Sequence, residues 1–203
     1  MAQSSGAEPE DEMAATGGED TVDDRIIEQG AIVFRGYVVE AMRTDNPDVH
    51  LDSEDLGGRP QEGQDPQIKE IVQHLLVIAD ELNRNAELEH LIDTVEFDSA
   101  QDLFFTVARK IFDDGINWGR IVALFHFGYK LIYKAITCNH SDIIRKIIGW
   151  VLQFLRENAL RWIRAQGGWE AVQAQFQSLS WHSVAIFVAG VLTGALVCWK
   201  VSS

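Results

Sequence analysis

One basic residue of this chain lies where a helix start should disfavour it. Arg120 ends the segment 113–120 (DDGINWGR), in which a turn rich in Asp and Gly leads into the first turn of a predicted helix. The partial positive charge at a helix N-terminus opposes a basic side chain there, so Arg120 should have an acidic partner. A guanidinium group can hold a carboxylate with two hydrogen bonds. The segment therefore indicates recognition of a partner's carboxylate or, as the alternative, an arginine that caps its own bundle.

A second set of residues has the spacing of a helix that binds in a groove. Its apolar members recur at intervals of four, three and four residues, with a small and an acidic residue beside them. We call the set the interaction stripe: Ile71, Leu75, Ile78, Ala79, Asp80 and Leu82. Helices that dock in a partner's groove use anchors at such spacings. The stripe alone is a weak signal, because any surface helix has an apolar side.

Residue types that could support catalysis are present without the spacing that catalysis needs. No glycine-rich loop follows a predicted strand, and two cysteines are too few for a disulfide scaffold. Four histidines lack ligand partners at metal-site spacing: His74, His90, His126 and His140. We therefore expect no enzyme activity, no cofactor and no metal.

Charge is unevenly distributed along the chain. The formal net charge of −14 argues against nucleic-acid binding. Residues 1–24 contain eight acidic and no basic residues, which is typical of a solvated segment. Residues 118–164 contain eight basic and two acidic residues. That part of the chain fits contact with anionic lipid headgroups or, equally, ordinary surface solvation.

Helical periodicity extends through most of the chain, and no segment alternates with the period of a strand. The sequence predicts a disordered acidic tail at 1–20 and then an all-α bundle over 21–177. The first helix should begin at Thr21, in a capping box with Asp24. Residues 43–67 are rich in Asp, Gly and Pro and should form a long, mobile loop.

The later helices are predicted from caps and apolar patterns. Asp65, followed by Pro66, should cap the second helix, while Ser99 and Ser141 should cap two later ones. A short helix is expected at 88–95, and two more should occupy 162–175, broken at Gly167-Gly168.

One helix should form the centre of the bundle. Residues 118–136 are apolar on nearly all sides, which is typical of a buried helix. Its single polar side consists of His126, Lys130 and Lys134, four residues apart.

The last predicted helix has the length and composition of a membrane anchor. Residues 181–199 contain no charge and would span ~27 Å, near the ~30 Å of a hydrocarbon layer. Tryptophans at both ends suit the membrane interfaces. The anchor residues are Trp181, Val184, Ile186, Phe187, Val188, Gly190, Leu192, Gly194, Leu196 and Trp199. The two glycines allow close helix association or a fit into the protein's own groove, and a buried core helix is the alternative to an anchor.

Together these segments resemble the homology motifs of the Bcl-2 family of apoptosis regulators. Residues 71–85 are similar to the third motif, and 117–125, beginning NWGR, to the first. Residues 166–169 (QGGW) are similar to the second, and 30–34 (GAIVF) lie where the fourth, N-terminal motif belongs. The resemblance covers about 21–200 and matches in order and spacing. It implies a Bcl-2-like bundle around a central hydrophobic helix, with a transmembrane tail helix.

Within the family, the resemblance is to the effector branch. It rests on the tail, on residues 120–125 and on Leu82 directly after Asp80-Glu81. Glu28 departs from the pattern, because effector relatives carry a basic residue at that place in a rear activation site. The resemblance therefore does not extend to activation by that route.

The resemblance implies a groove between the second and fifth helices that holds the tail or a partner's third motif. The groove residues would be Asn117, Trp118, Gly119, Arg120, Phe104 and Val107. It also implies a pro-apoptotic effector that is cytoplasmic at rest, and that oligomerises on and permeabilises the mitochondrial outer membrane. Its partners would be itself, activator ligands, anti-apoptotic relatives and mitochondrial lipids. The alternatives are an anti-apoptotic member that sequesters such ligands without forming pores, and a tail-anchored adaptor.

Overall fold

The computed structural model describes residues 11–84 and 86–176, which form eight α-helices and contain no strand. The helices are α1 (Asp11–Asp45), α2 (Pro66–Leu82), α3 (Ala86–Thr94), α4 (Ala100–Ile111), α5 (Trp118–Thr137), α6 (Ile144–Phe154), α7 (Leu160–Gln166) and α8 (Ala171–Phe176). A π-helical turn, Leu155–Ala159, joins α6 to α7. The all-α prediction is confirmed for these residues.

α5 is the central helix, as the sequence predicts. Sixteen of its twenty residues are buried, and α1, α2, α3, α4 and α6 all pack against it. It begins where the Asn117 side chain accepts a hydrogen bond of 2.9 Å from the N–H of Arg120, an N-cap. At Gly128 an added Cβ would lie 2.9 Å from Cγ2 of Val151 and 3.0 Å from Cζ of Phe34. Glycine at this position therefore allows α1 and α6 to pack closely against α5.

α1 begins earlier than the capping residues suggest. It begins at Asp11, not at Thr21, so residues 11–20 are helical where the sequence predicts a disordered tail. Thr21 does not act as a cap because it lies inside the helix, where its hydroxyl donates a hydrogen bond of 2.9 Å to the carbonyl of Gly18.

The segment between α1 and α2 is irregular, apart from a 3₁₀ turn at Glu62–Gln64. It nevertheless contacts the bundle, because Leu56 is 2% exposed and Glu62 accepts two hydrogen bonds from the Arg35 guanidinium. Asp65 accepts a hydrogen bond of 2.8 Å from the N–H of Gln67, with Pro66 at the first helical position. The predicted cap of α2 is therefore confirmed.

Ser99 occupies the N-cap position of α4, as predicted, but its side chain makes no capping hydrogen bond. Its hydroxyl donates to the carbonyl of Glu96, 3.1 Å away, in the preceding 3₁₀ turn. The predicted Ser141 cap is wrong. Ser141 lies at the start of another 3₁₀ turn, and Ile143 occupies the cap position of α6 without a side-chain hydrogen bond. The break at Gly167 and Gly168 is confirmed, and both have positive φ, at 100° and 89°.

No helix within residues 11–84 and 86–176 combines the length and the apolar character needed to cross a membrane. The predicted anchor at 181–199 lies outside the described residues.

Candidate functional site

The interaction stripe faces into the bundle. Five of its six residues are buried, each no more than 3% exposed: Ile71, Leu75, Ile78, Ala79 and Leu82. They lie on α2, which packs against α1, α5 and α8. Asp80 points outward, with a side chain 69% exposed and 3.3 Å from Arg84. In this state the stripe is part of the core and is not free to bind a partner.

Releasing the stripe would cost much of the stability of the fold. Burying one Leu or Ile side chain contributes ~1.5–3 kcal/mol, so the four large apolar residues of the stripe contribute roughly 6–12 kcal/mol. A whole domain is stable by only ~5–15 kcal/mol. The stripe can therefore leave the bundle only if another apolar surface receives it.

Arg120 caps the preceding helix of its own bundle. It is 3% exposed, and its Nη1 donates hydrogen bonds to the carbonyls of Ile111, at 2.8 Å, and Gly115, at 3.4 Å. Ile111 is the last residue of α4, where carbonyls lack helical partners and carry partial negative charge. Nη2 lies 3.6 Å from Oδ2 of Asp114, whose side chain is 86% exposed, so that ion pair is weak. The base at the start of α5 thus has its partners at the end of α4.

The other predicted groove residues lie around these two helices. Phe104 and Val107 are fully buried on the inner side of α4, and the Phe104 ring stacks on Phe127 with centroids 5.9 Å apart. Gly119 and Trp118 are buried at the start of α5. In this state these residues belong to the core, so their role as the lining of an open groove stays a prediction.

Three of the predicted motifs meet around one tryptophan. Trp169, of QGGW, donates a hydrogen bond of 2.9 Å to the carbonyl of Ile26, and its ring is 5.6 Å from that of Trp118. A Cβ at Gly30 would lie 2.8 Å from the Trp169 ring, so only glycine fits there without displacement. Sequence motifs far apart in the chain therefore build one packing centre between α1, α5 and α8.

The polar side of α5 connects it to α1 and α3. Lys130 Nζ lies 2.8 Å from Glu89 of α3 and 3.4 Å from Asp45 of α1. Lys134 donates hydrogen bonds of 2.7–2.8 Å to three backbone carbonyls around the end of α3. His126 is fully buried, with Nδ1 3.0 Å from the hydroxyl of Tyr37 in α1. The sequence predicts the three polar positions but not their partners.

Burial determines how His126 and Tyr129, its neighbour on α5, titrate. Burial and then the charge of Lys130 lower the pKa of His126 to about 3, because a desolvated ring disfavours the charged form. Burial and then the hydrogen bond to Asp45 raise the pKa of the Tyr129 hydroxyl. A cavity of about 250 Å³ lies beside these residues, between α1, α2 and α5, and Asp80 of the interaction stripe lines its rim.

Ion pairs involve residues of the basic segment 118–164 and also Glu28. Arg156 pairs with Asp24 at 3.1 Å and Arg164 with Asp23 at 3.0 Å, so part of the basic segment is neutralised by α1. Glu28 pairs with Arg59 at 3.0 Å on the surface. Within residues 11–84 and 86–176, no group of three or more His, Cys, Asp or Glu side chains could hold a metal ion.

Comparison with known proteins identifies the family. The model of "Apoptosis regulator proteins, Bcl-2 family" matches residues 75–169. Proteins named apoptosis regulator BAX from Bos taurus and Homo sapiens are 41% identical over 188 residues, covering 91% of this chain and 94% of theirs. Apoptosis regulator Bcl-2 from Gallus gallus is 33% identical over 49% of this chain.

Solved structures share the fold at low sequence identity. The crystal structure of chicken BOK has a TM-score of 0.61 and 19% identity, covering 75% of this chain and 96% of that one. Trichoplax adhaerens trBcl-2L2 bound to trBak BH3 has a TM-score of 0.57 and 20% identity, covering 74% and 98%. With BAX proteins similar over nearly its whole length, this chain belongs to the Bcl-2 family of apoptosis regulators.

Proposed function

We propose that this protein is a pro-apoptotic effector that, once activated, oligomerises on the mitochondrial outer membrane and permeabilises it. The observation that carries the proposal is 41% identity to BAX proteins over 91% of the chain, against 33% over 49% for a Bcl-2 protein. The resemblance of its motifs to the effector branch agrees with this choice. At rest the protein would be cytoplasmic.

The buried stripe supports a mechanism of exchange. In the closed bundle, α2 inserts its apolar residues between α1 and α5. On activation the stripe would leave and enter the vacated groove of a second molecule, while the second stripe enters the first groove. Such a symmetric contact replaces buried apolar area by equivalent area. The burial of the stripe in the second groove therefore offsets the free energy that is lost when the stripe leaves its own bundle. A single monomer has no such compensation.

Its partners follow from the same geometry. An activator ligand would be a third-motif helix that competes for the groove, and a structural neighbour of this chain is bound to a BH3 segment. Anti-apoptotic relatives would bind the exposed stripe and block oligomers. Mitochondrial lipids would receive the predicted anchor, Trp181–Trp199, and its Gly190-x-x-x-Gly194 pattern could join anchors of neighbouring molecules.

Dye release from liposomes tests the proposal. The full-length protein, activated by a third-motif peptide, should release dye from liposomes of mitochondrial lipid composition. An anti-apoptotic protein would bind the peptide without release, and an adaptor would attach to the liposomes without release. Either of those results would overturn the effector assignment.

Asp80→Arg is the variant that tests the stripe. Asp80 is exposed in the closed bundle, so its replacement should leave the monomer folded while placing a base in the helix that must enter a foreign groove. Release should fall at least tenfold. Glu70→Arg is the matched control, because it makes the same charge change at an exposed position of α2 outside the stripe and should release dye normally. Leu75→Glu is unsuitable, because Leu75 is fully buried and a carboxylate there would unfold the monomer.

A further inference from the structure

The polar side of α5 connects the central helix to α1 and α3. Lys130 bridges Asp45 of α1 and Glu89 of α3. Lys134 gives all three ammonium hydrogens to carbonyls around the end of α3. Both lysines thus lie among hydrogen-bond acceptors in the closed bundle. His126, one turn earlier on the same side, is in a different situation.

His126 is fully buried, and only one of its two ring nitrogens has a hydrogen-bond partner among the described residues. Its Nδ1 shares a hydrogen bond with the Tyr37 hydroxyl, while its Nε2 is buried and has no hydrogen-bond partner among the described residues. The ring lies at the junction of α1, α2 and α5, beside the 250 Å³ cavity. The neutral ring fits this environment, and a charged ring would lack a counter-ion in contact with it.

The charged and titratable groups around His126 explain why. From α1 it faces the Tyr37 hydroxyl and, across the cavity, Asp45; from α2 it faces Asp80 across the same cavity. On α5 itself, Tyr129 and Lys130 are its neighbours. Asp45 already accepts from Tyr129 at 2.8 Å and lies 3.4 Å from Lys130, and Asp80 lies beside Arg84. Both nearby carboxylates are therefore engaged by other groups.

We propose that His126 is an acid-sensitive latch: its protonation weakens the contact between α1, α2 and α5 and so lowers the cost of releasing the interaction stripe to another apolar surface. This inference rests on the proposed function only for the consequence of release, since the latch itself is a property of the closed bundle. Mild acid would then raise the fraction of open molecules, while the closed form stays the more stable one until another apolar surface receives the stripe. The effect arises in the closed form, because only in that form is the His126 ring shielded from water.

The direction and size of the effect follow from linkage. The closed bundle holds the pKa of His126 at about 3, whereas an imidazole exposed to water has a pKa near ~6.5. A histidine whose pKa is lower in the closed form than in water stabilises the closed form at pH values above ~6.5. This stabilisation decreases as the pH falls below ~6.5. Between pH ~7.5 and ~5.5 the ratio of open to closed molecules should rise about tenfold.

Glu62, a carboxylate bonded to Arg35 of α1, responds in a different pH range. Burial alone would raise the pKa of Glu62, but its hydrogen bonds to Arg35 and to the N–H of Arg59 outweigh burial and lower it. Its stabilising contribution is therefore present above the ordinary carboxylate pKa of ~4.3 and lost only below it. A response between pH ~7.5 and ~5.5 therefore does not arise from Glu62.

Hydrogen exchange of the full-length protein without membranes tests the latch. After correction for the intrinsic exchange rate, α2 amides of the wild type should lose about tenfold of their protection between pH ~7.5 and ~5.5. His126→Gln, which cannot titrate, should change less than twofold. Tyr37→Phe is the matched control, since it removes the bonded hydroxyl but leaves a buried, titratable ring, and it should keep the response. An equal response in wild type and His126→Gln would overturn the proposal.

Two readouts keep the latch separate from pore formation. If the His126→Gln variant loses its helix content, the His126 ring of the wild type can be titrated by NMR instead. In the closed form the ring should stay neutral down to pH ~4. An ordinary pKa near ~6.5 would contradict the latch. Dye release at both pH values completes the test. Acid-dependent exchange without release would refute the effector mechanism and leave the latch standing. Peptide-induced release without acid-dependent exchange would refute the latch alone.

Discussion

Replacing Arg120 by alanine should destabilise the closed monomer, because the side chain caps α4. The change removes a charged hydrogen bond of 2.8 Å to the Ile111 carbonyl and a longer one, 3.4 Å, to Gly115. A hydrogen bond to a charged group contributes ~1.5–3 kcal/mol, and the longer bond contributes less. The exposed Asp114 adds little. We therefore expect a loss of about 2–4 kcal/mol in the free energy of unfolding.

Urea unfolding followed by circular dichroism measures this loss. The matched control is Arg109→Ala, which removes an arginine from the exposed side of α4 and should change the free energy by less than ~0.5 kcal/mol. Arg120→Lys should recover part of the loss, because one ammonium can reach fewer acceptors than the guanidinium fork. If Arg120→Ala is as stable as Arg109→Ala, the capping role is refuted.

Two other predictions concern packing and location. Gly128→Ala should cost ~1–3 kcal/mol of unfolding free energy in the same urea assay, because its Cβ would lie 2.9–3.0 Å from Val151 and Phe34. Gly149→Ala on α6, where a Cβ meets nothing within 4 Å, should instead stabilise the protein by up to ~1 kcal/mol, and equal effects at both glycines would contradict the packing argument. Deleting residues 181–203 should leave a folded protein that no longer attaches to mitochondria. A truncated protein that resists carbonate extraction from membranes would exclude the anchor, and a charge at Val188 should weaken attachment by ~2.5–3.5 kcal/mol.

Features set by neighbouring residues could be predicted from the sequence. The Asp65-Pro66 cap, the glycine break after α7 and the apolar character of α5 each depend on a few adjacent residues. Ser99 occupies the predicted N-cap position of α4 but makes no capping hydrogen bond. Ser141 does not cap α6, because the 3₁₀ turn Ser141–Ile143 comes before that helix.

Features that depend on distant residues could not be predicted in this way. The sequence places Arg120 at a helix start and predicts a partner for it. Its shortest hydrogen bond goes to the end of another helix, and the carboxylate of the exposed Asp114 is farther away, at 3.6 Å. The contact of Trp169 with Ile26 and Gly30 requires the whole bundle to form. The same holds for the His126–Tyr37 hydrogen bond, which joins residues 89 positions apart. Periodicity identifies which side of a helix is apolar, but not what that side meets.

A reversible tether between α1 and α2 tests most directly whether the stripe must leave the bundle. A Cβ at Gly36 would lie 3.1 Å from Cγ2 of Val72, one C–C bond from the Val72 Cβ. The two Cβ atoms therefore lie at most about 4.6 Å apart, close to the ~3.5–4.5 Å separation of a disulfide. Gly36→Cys with Val72→Cys would be made in a background in which Cys138 and Cys198 are serine. The measurement is dye release from liposomes by the oxidised and the reduced protein, each activated by the same third-motif peptide. The account predicts no release when oxidised and full release when reduced; equal release in both forms would contradict it.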